Sequence, residues 1–159
     1  MRFARGLSVT AALGLIVASP ARGQTSHVAA PAPAVNWGPA PPFLPAGARF
    51  AVLQGDPGQP GIYTIRLEFP AGYVIRPHFH PTDEHVTVLS GSFVVGMGDS
   101  VDTQHGQRLG AGGFITAPAL AHHFAVARLK TVVQIHGEGP FALTYVHPAD
   151  DPRASARGN

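Results

Sequence analysis

From Arg49 onward, short apolar-rich runs alternate with groups of Gly, Pro and polar residues. The runs are FAVLQ (50–54), IYTIRLEF (62–69), YVIRPHFH (73–80), HVTVLSG (85–91), SFVVGMG (92–98), GFITA (113–117), HHFAVA (122–127), TVVQIHG (131–137) and FALTYVH (141–147). Between them lie GDPGQPG, PAG, GDSVDTQHG, GAGG, RLK and EGP. None of the runs has helical periodicity, and Gly and Pro supply the punctuation. Many short strands at such spacing predict an all-β sandwich or barrel. Phe93, Val95 and Met97 alternate, as do Phe141, Leu143 and Tyr145, and both sets are expected in the core or in a pocket wall.

The ends of the chain read differently. Residues 24–48 are rich in Pro and Ala, with PAPAV and GPAPPFLPAG. Such sequence is expected to stay extended as a tether that builds no ladder, with Trp37 and Phe43 docking on the outside of the domain. The domain itself is expected over 49–148, and 149–159 as a flexible, solvated tail. There Asp150, Asp151 and Arg153 are expected to form only a local charge cluster. At the front, Arg2 and Arg5 precede an uncharged apolar run from Gly6 to Ala18, and small residues follow at Ala21 and Gly23. That layout predicts a secretory signal peptide over 1–23, cut after Gly23, and so a periplasmic or secreted protein. The apolar run is too short to span a bilayer comfortably, so no stable membrane insertion is expected after cleavage.

Cleavage changes the charge balance. Arg2, Arg5 and Arg22 leave with the signal, so eight of the 11 Lys and Arg face nine Asp and Glu, a net charge of −1. No Lys/Arg cluster is present, so nucleic acid is not an expected partner. Cys is absent, which rules out both a disulfide framework and a lipid-bearing N-terminal Cys. Nine His is a high load, and imidazole is the commonest protein metal ligand.

The specific chemistry sits in GYVIRPHFHPTDEHVTVLSG (72–91). On an extended strand His78 and His80 point the same way, and a turn at Pro81, Thr82 and Asp83 can return Glu84 to their face. Two imidazoles and a carboxylate at this spacing suit a divalent ion. A further ligand can come from His122 or His123, which follow Pro118 and open a strand. Neighbouring strand residues face opposite sides, so one of the pair looks into the cavity and the other away.

The first of these segments resembles the first motif of the cupin superfamily, G-x5-H-x-H-x3-E-x6-G, at Gly72, His78, His80, Glu84 and Gly91. The second is similar to the second cupin motif at Gly112, Pro118 and His123, with Leu120 where Gly is usual and Ala127 where Asn is usual. In its wording the chain also looks like the small exported single-domain bacterial cupins. The resemblance implies a double-stranded β-helix, a jelly roll of two antiparallel sheets with the metal inside. It implies His78, His80, Glu84 and His123 as ligands of one divalent metal ion, Fe, Mn, Ni, Cu or Zn, with His122 facing away. It also implies pairing into a homodimer.

Several other residues are candidates. Arg76 shares parity with His78 and could meet an anionic substrate in the cavity or lie in solvent. Asp83 could orient a ligand imidazole or serve the turn. His136 could line the barrel mouth, and His85 is expected to face away from Glu84. His27 and His105 are expected in solvent. The leading functional expectation is a metal-binding cupin that takes a small-molecule ligand, with a dioxygenase-type oxidoreductase as the likeliest enzyme class. The alternatives are a metal-dependent isomerase or lyase, with Tyr145, His136 or Arg76 as acid or base, and a non-catalytic small-molecule or metal-binding module.

Overall fold

The computed structural model describes residues 29, 31 and 34–156. The predicted signal peptide, its cut site and His27 lie outside the described residues. The strands are β1 (Gly38–Pro39), β2 (Arg49–Gln54), β3 (Gly61–Phe69), β4 (Tyr73–Phe79), β5 (Glu84–Ser90) and β6 (Phe93–Met97). They continue as β7 (Gln107–Leu109), β8 (Phe114–Ala117), β9 (His123–Ala127), β10 (Thr131–Gly139) and β11 (Thr144–Tyr145). A 3-10 turn at Pro148–Asp150 and a short helix α1 (Pro152–Ala156) follow. Among the described residues no helix is long and apolar enough to cross a membrane.

Two antiparallel sheets face each other as a jelly roll, one ordered β1-β2-β3-β10-β5-β8 and the other β11-β4-β9-β6-β7. Strand alternation builds the core between them. In β3, Tyr63, Ile65, Leu67 and Phe69 are buried, while Thr64, Arg66 and Glu68 are half-buried on the opposite face. In β10, Val133 and Ile135 face inward, and His136 and Glu138 are exposed.

A smaller apolar cluster of Val94, Phe124 and Val126 lies apart from this core and makes the outer face of the second sheet apolar as well. Gly106 belongs to the loop that covers it: a Cβ there would fall 2.6 Å from Val94 Cγ1. This cover is why Val94 and Val95 are both buried.

Two strands fall where none was expected. β7 directly follows the polar separator GDSVDTQHG and pairs with β6 at the sheet edge. In the proline-rich segment, Gly38 and Pro39 pair with Phe50 and Arg49, so the described part of that segment does build a short ladder. Proline is tolerated there because β1 is an edge strand. Leu44 and Ala48 join the core, Phe43 packs edge-on against Phe141 at 5.6 Å, and Trp37 lies under the Arg49 guanidinium.

Candidate metal centre

β4 and the residue that follows it carry two inward-facing sets on opposite parities. Tyr73 and Ile75 are buried in the core, and so are His78 and His80 further along. The switch comes from a bulge. Ile75 pairs with Ala125 and His78 with His123, so β4 holds one extra residue in that interval. An extra residue turns every later side chain to the other face. Pro77 lies in the bulge, where its missing N–H costs no ladder bond. Arg76 is consequently turned out of the cavity: its side chain is exposed and approaches Asp150 at 3.4 Å. Of the two places open to Arg76, cavity or solvent, it takes solvent for this reason. The same ion pair carries Asp150 beyond a local cluster, while Arg153 pairs with Asp151 at 2.7 Å.

Glu84 opens β5 between Ala117 on β8 and Gly137 on β10, two small neighbours. Tyr63, cross-strand from Gly137, uses the space, since a Cβ on Gly137 would lie 3.0 Å from the Tyr63 hydroxyl. Burial and the Glu84 charge push the Tyr63 phenol well above its ordinary range, so it stays protonated. A tyrosine in an alternating apolar strand reads only as core, and its nearness to Glu84 has no signal in the sequence.

His78, His80 and His123 converge, with ring nitrogens within 4.8 Å of one another, and Glu84 stands beside them. The Glu84 Oε2 atom is 3.5 Å from His80 Nε2 and 3.8 Å from His123 Nε2. All four side chains are buried. Each imidazole is oriented by a backbone carbonyl: His78 Nδ1 by Arg76 at 2.7 Å, His80 Nδ1 by Ala142 at 2.7 Å and His123 Nδ1 by Ala121 at 2.9 Å. A carbonyl only accepts, so each Nδ1 donates, which directs the neutral ring's lone pair to Nε2. Nε2 of His80 and of His123 are buried with no hydrogen-bond partner. Two orphaned acceptors beside a carboxylate are costly unless a cation occupies the space between them. The donor set therefore fits a divalent metal ion.

The electrostatics agree. Burial pushes the His78 imidazolium down to about 3, helped by the neighbouring His123 and His80. His123 is lowered too, chiefly by burial. For His80 burial works downward, but the Glu84 charge outweighs it and leaves the group raised. Burial alone would lift the Glu84 carboxyl, and the imidazoles, His80 foremost, bring it down to about 2. The site thus keeps the Glu84 anion at neutral pH, with His78 and His123 held neutral by burial and His80 drawn toward the carboxylate.

The surrounding turns fasten these groups together. Asp83 accepts a hydrogen bond from the Ala119 amide at 2.8 Å, so it serves the turn and does not orient an imidazole. Thr82 donates to the Glu138 carbonyl at 2.8 Å, and the Leu120 amide donates to the His80 carbonyl at 2.8 Å. Residues 118–121 close with a bond from the Ala121 amide to the Pro118 carbonyl at 3.1 Å, and Leu120 sits at φ 61°. This left-handed position is the one that favours glycine in such a turn, and a leucine there costs about 1–2 kcal/mol.

The remaining candidates lie elsewhere. His122 faces outward to Asp99 at 2.6 Å and stacks on Phe79. His85 and His136 stack on each other at 4.9 Å on the outer face of the first sheet, so His136 does not line the mouth. His105 is exposed and bonded to Asp102. Tyr145 is buried with its ring 6.2 Å from His78, but its hydroxyl donates to the Phe43 carbonyl at 2.9 Å. Met97, expected in the core or in a pocket wall, is exposed. Beyond the four polar groups the walls are apolar, with Ile75, Val86, Phe93, Val95, Ile135 and Leu143 among them, around about 30 Å³ of water-accessible space. That is room for about two water molecules.

The family described as the ChrR cupin-like domain matches residues 25–142. Among solved structures, the polyketide cyclase RemF from Streptomyces resistomycificus is similar at 17% identity, over 84% of this chain and 94% of that one, with a TM-score of 0.64. An acetylacetone dioxygenase from Acinetobacter johnsonii is similar at 16% identity, over 86% and 88%, with a TM-score of 0.61. The DMSP lyase DddQ from Ruegeria pomeroyi is similar at 20% identity, over 73% and 63%, with a TM-score of 0.57. At these identities the likeness shows the fold. No curated protein matches the chain.

Proposed function

Since the chain belongs to the family of ChrR cupin-like domains, we propose that it is a metal-dependent cupin acting as a dioxygenase-type oxidoreductase on a small molecule. The observation that carries this is the pair of buried, unpartnered Nε2 atoms of His80 and His123, beside Glu84 at the end of an apolar cavity. His78, His80 and His123 would hold the ion through Nε2, and Glu84 through its carboxylate. When bound, such an ion supplies Lewis acidity and, for a redox metal, electron exchange with O₂. The protein's own part is to fix the donors through the carbonyls of Arg76, Ala142 and Ala121 and to keep water out with apolar walls.

One observation favours oxidation over isomerase or lyase chemistry. Those reactions need a separate acid or base, and none of the three expected candidates is available. Tyr145 is hydrogen-bonded to Phe43, His136 is on the outer face and Arg76 is turned to Asp150. A dioxygenase of similar fold acts, by its name, on acetylacetone, which makes that β-diketone the first substrate to try. The test is metal content per chain followed by O₂ uptake. About one equivalent of Fe, Mn, Cu or Ni with acetylacetone-dependent O₂ consumption supports the reading. Loading by Zn alone, with no O₂ uptake from a panel of small carbonyl compounds, overturns it in favour of Lewis-acid chemistry or a binding role.

We also propose that the protein works outside the cytoplasm after removal of residues 1–23, from the Arg2 and Arg5 charges and the apolar run that follows them. N-terminal sequencing of the protein recovered from the periplasm or medium should begin at Gln24, and an intact Met1 there would refute it.

A further inference from the structure

The two ends of the barrel can be told apart from side chains on its inner face. Met97 pairs across strands with His123 and so faces the same way, yet His123 is 2% exposed and Met97 56%. An inward-facing side chain that stands in solvent marks the place where the barrel opens. Phe93, at the other end of the same strand, is buried against Phe69, so that end is closed. The open rim also carries the 118–121 turn. Its Leu120 amide is bound to the His80 carbonyl, and two residues later the His122 carbonyl accepts from the Gly98 amide at 2.8 Å.

Leu120 is the one non-glycine residue with positive φ among the described residues, and it is 64% exposed. Burial of that side chain therefore does not offset the strain, and a glycine would hold the turn without strain. Strain kept beside a functional cavity points to a use for the side chain. The charges point the same way. No Lys or Arg lines the cavity, and the rim next to Met97 presents Asp99, which is already paired with His122. An anionic ligand would find no cation there apart from a bound metal.

We infer that Met97 and Leu120 form an apolar lip at the mouth of the metal centre, which selects ligands with an uncharged, apolar body and a small metal-chelating head. With room inside for about two waters, only the head enters and the body rests on the lip. This rests on the metal-centre reading above, and the test separates the two.

The full protein loaded with Co(II) is titrated with acetohydroxamate, hexanohydroxamate and the hexano compound bearing a terminal carboxylate, following the visible spectrum. Wild type should bind hexanohydroxamate about tenfold more tightly than acetohydroxamate, as partial burial of four added methylenes predicts. The carboxylate compound should lose that gain. In Leu120→Ala and Leu120→Gly the ratio of the two affinities should fall about threefold. Only Leu120→Gly should melt higher, by about 2–4 °C, because glycine alone relieves the backbone.

An unchanged ratio in both variants overturns the lip, as does a carboxylate compound that binds as well as its neutral counterpart. Equal melting of the two variants overturns the claim of strain. Failure of the protein to take up Co(II) overturns the metal-centre reading, and a Co(II)-loaded protein that binds no hydroxamate overturns the lip alone.

Discussion

The same strands end in two unlike places. β4, β9 and β6 bring Tyr73, Ala127 and Phe93 into register at one end of the barrel, and His78, His123 and Met97 at the other. The two levels are about 13 Å apart along β6 and β9. At the first, Phe69 stacks between Tyr73 at 4.9 Å and Phe93 at 5.7 Å, and the Tyr73 hydroxyl donates to the Pro45 carbonyl of the proline-rich segment. Every polar group named there has a partner. At the second, two buried imidazole nitrogens have none, a leucine sits in a glycine conformation and an apolar side chain stands in water. The same strands thus support a closed end that stabilises and an open end that holds chemistry at some cost in stability. The assignment of these roles can be tested from either side.

The largest effect is expected at the open end. His80→Ala combined with Glu84→Ala removes two of the four proposed donors and should weaken metal binding by well over a hundredfold, more than the loss of a supporting contact does. Equilibrium dialysis with metal analysis reads it, and wild-type affinity in the double variant would sink the site. Since that variant also removes a buried ion pair and the need to bury a charge, its metal-free stability should change far less than its affinity.

At the closed end the order should reverse. Phe69→Ala deletes the middle ring of the stack and should cost about 3–5 kcal/mol, read as a lower denaturant midpoint. Metal affinity per folded molecule should stay within a few-fold of wild type. If affinity collapsed with stability, the two ends would not be separable and the comparison would fail.

Acid should sharpen the contrast in the metal-free protein. The His78 imidazole titrates near 3 when folded, because it is buried and lies by His123 and His80, and near 6.5 when unfolded. Between those values the unfolded chain binds a proton that the folded chain refuses, so stability falls as pH drops through that window. Glu84, lowered to about 2, adds stability that is present above its ordinary value and lost as pH falls toward 2. His80, raised by Glu84, works the other way and favours the fold below its raised value. Denaturant midpoints should therefore drop from pH 7 to pH 4, and His78→Gln, which cannot titrate, should drop less. Parallel curves for the two proteins would remove the buried neutral imidazole from the account.

How much of this could be read from the sequence depends on whether local pattern or long-range pairing decides the position. The main strands were legible because Gly and Pro mark their ends, and because residues such as Ile65 and Leu67 keep a period of two. β7 was not, since QRL is polar on an exposed edge, and β1 was hidden by proline, which edge strands tolerate. The convergence of His78 and His80 beside Glu84 was legible from spacing across a short turn. Which of His122 and His123 turns inward was settled only by likeness to a motif, because adjacent strand residues carry no local label. Tyr63 was invisible: its place beside Glu84 depends on Gly137, more than seventy residues away.

Arg76 gives the finest test, because the sequence leaves it between the cavity and solvent and the structure chooses. By simple alternation it shares a face with His78, which would put it in the cavity. The extra residue before His78 breaks the alternation and sends the guanidinium to Asp150, with 60% of the side chain exposed. An exposed ion pair of this kind is worth about 0.2–1 kcal/mol and is screened by salt. Arg76→Ala should thus lower stability by at most that amount, with the difference shrinking in high salt, and should leave metal affinity unchanged. The bulge also places the Arg76 carbonyl on His78 Nδ1, a backbone contact that alanine keeps. Substitution of Pro77 would be less clean, since it would change the bulge itself. A large loss of metal affinity in Arg76→Ala, insensitive to salt, would mean that β4 runs without the bulge and that its inward face is the one simple alternation predicts.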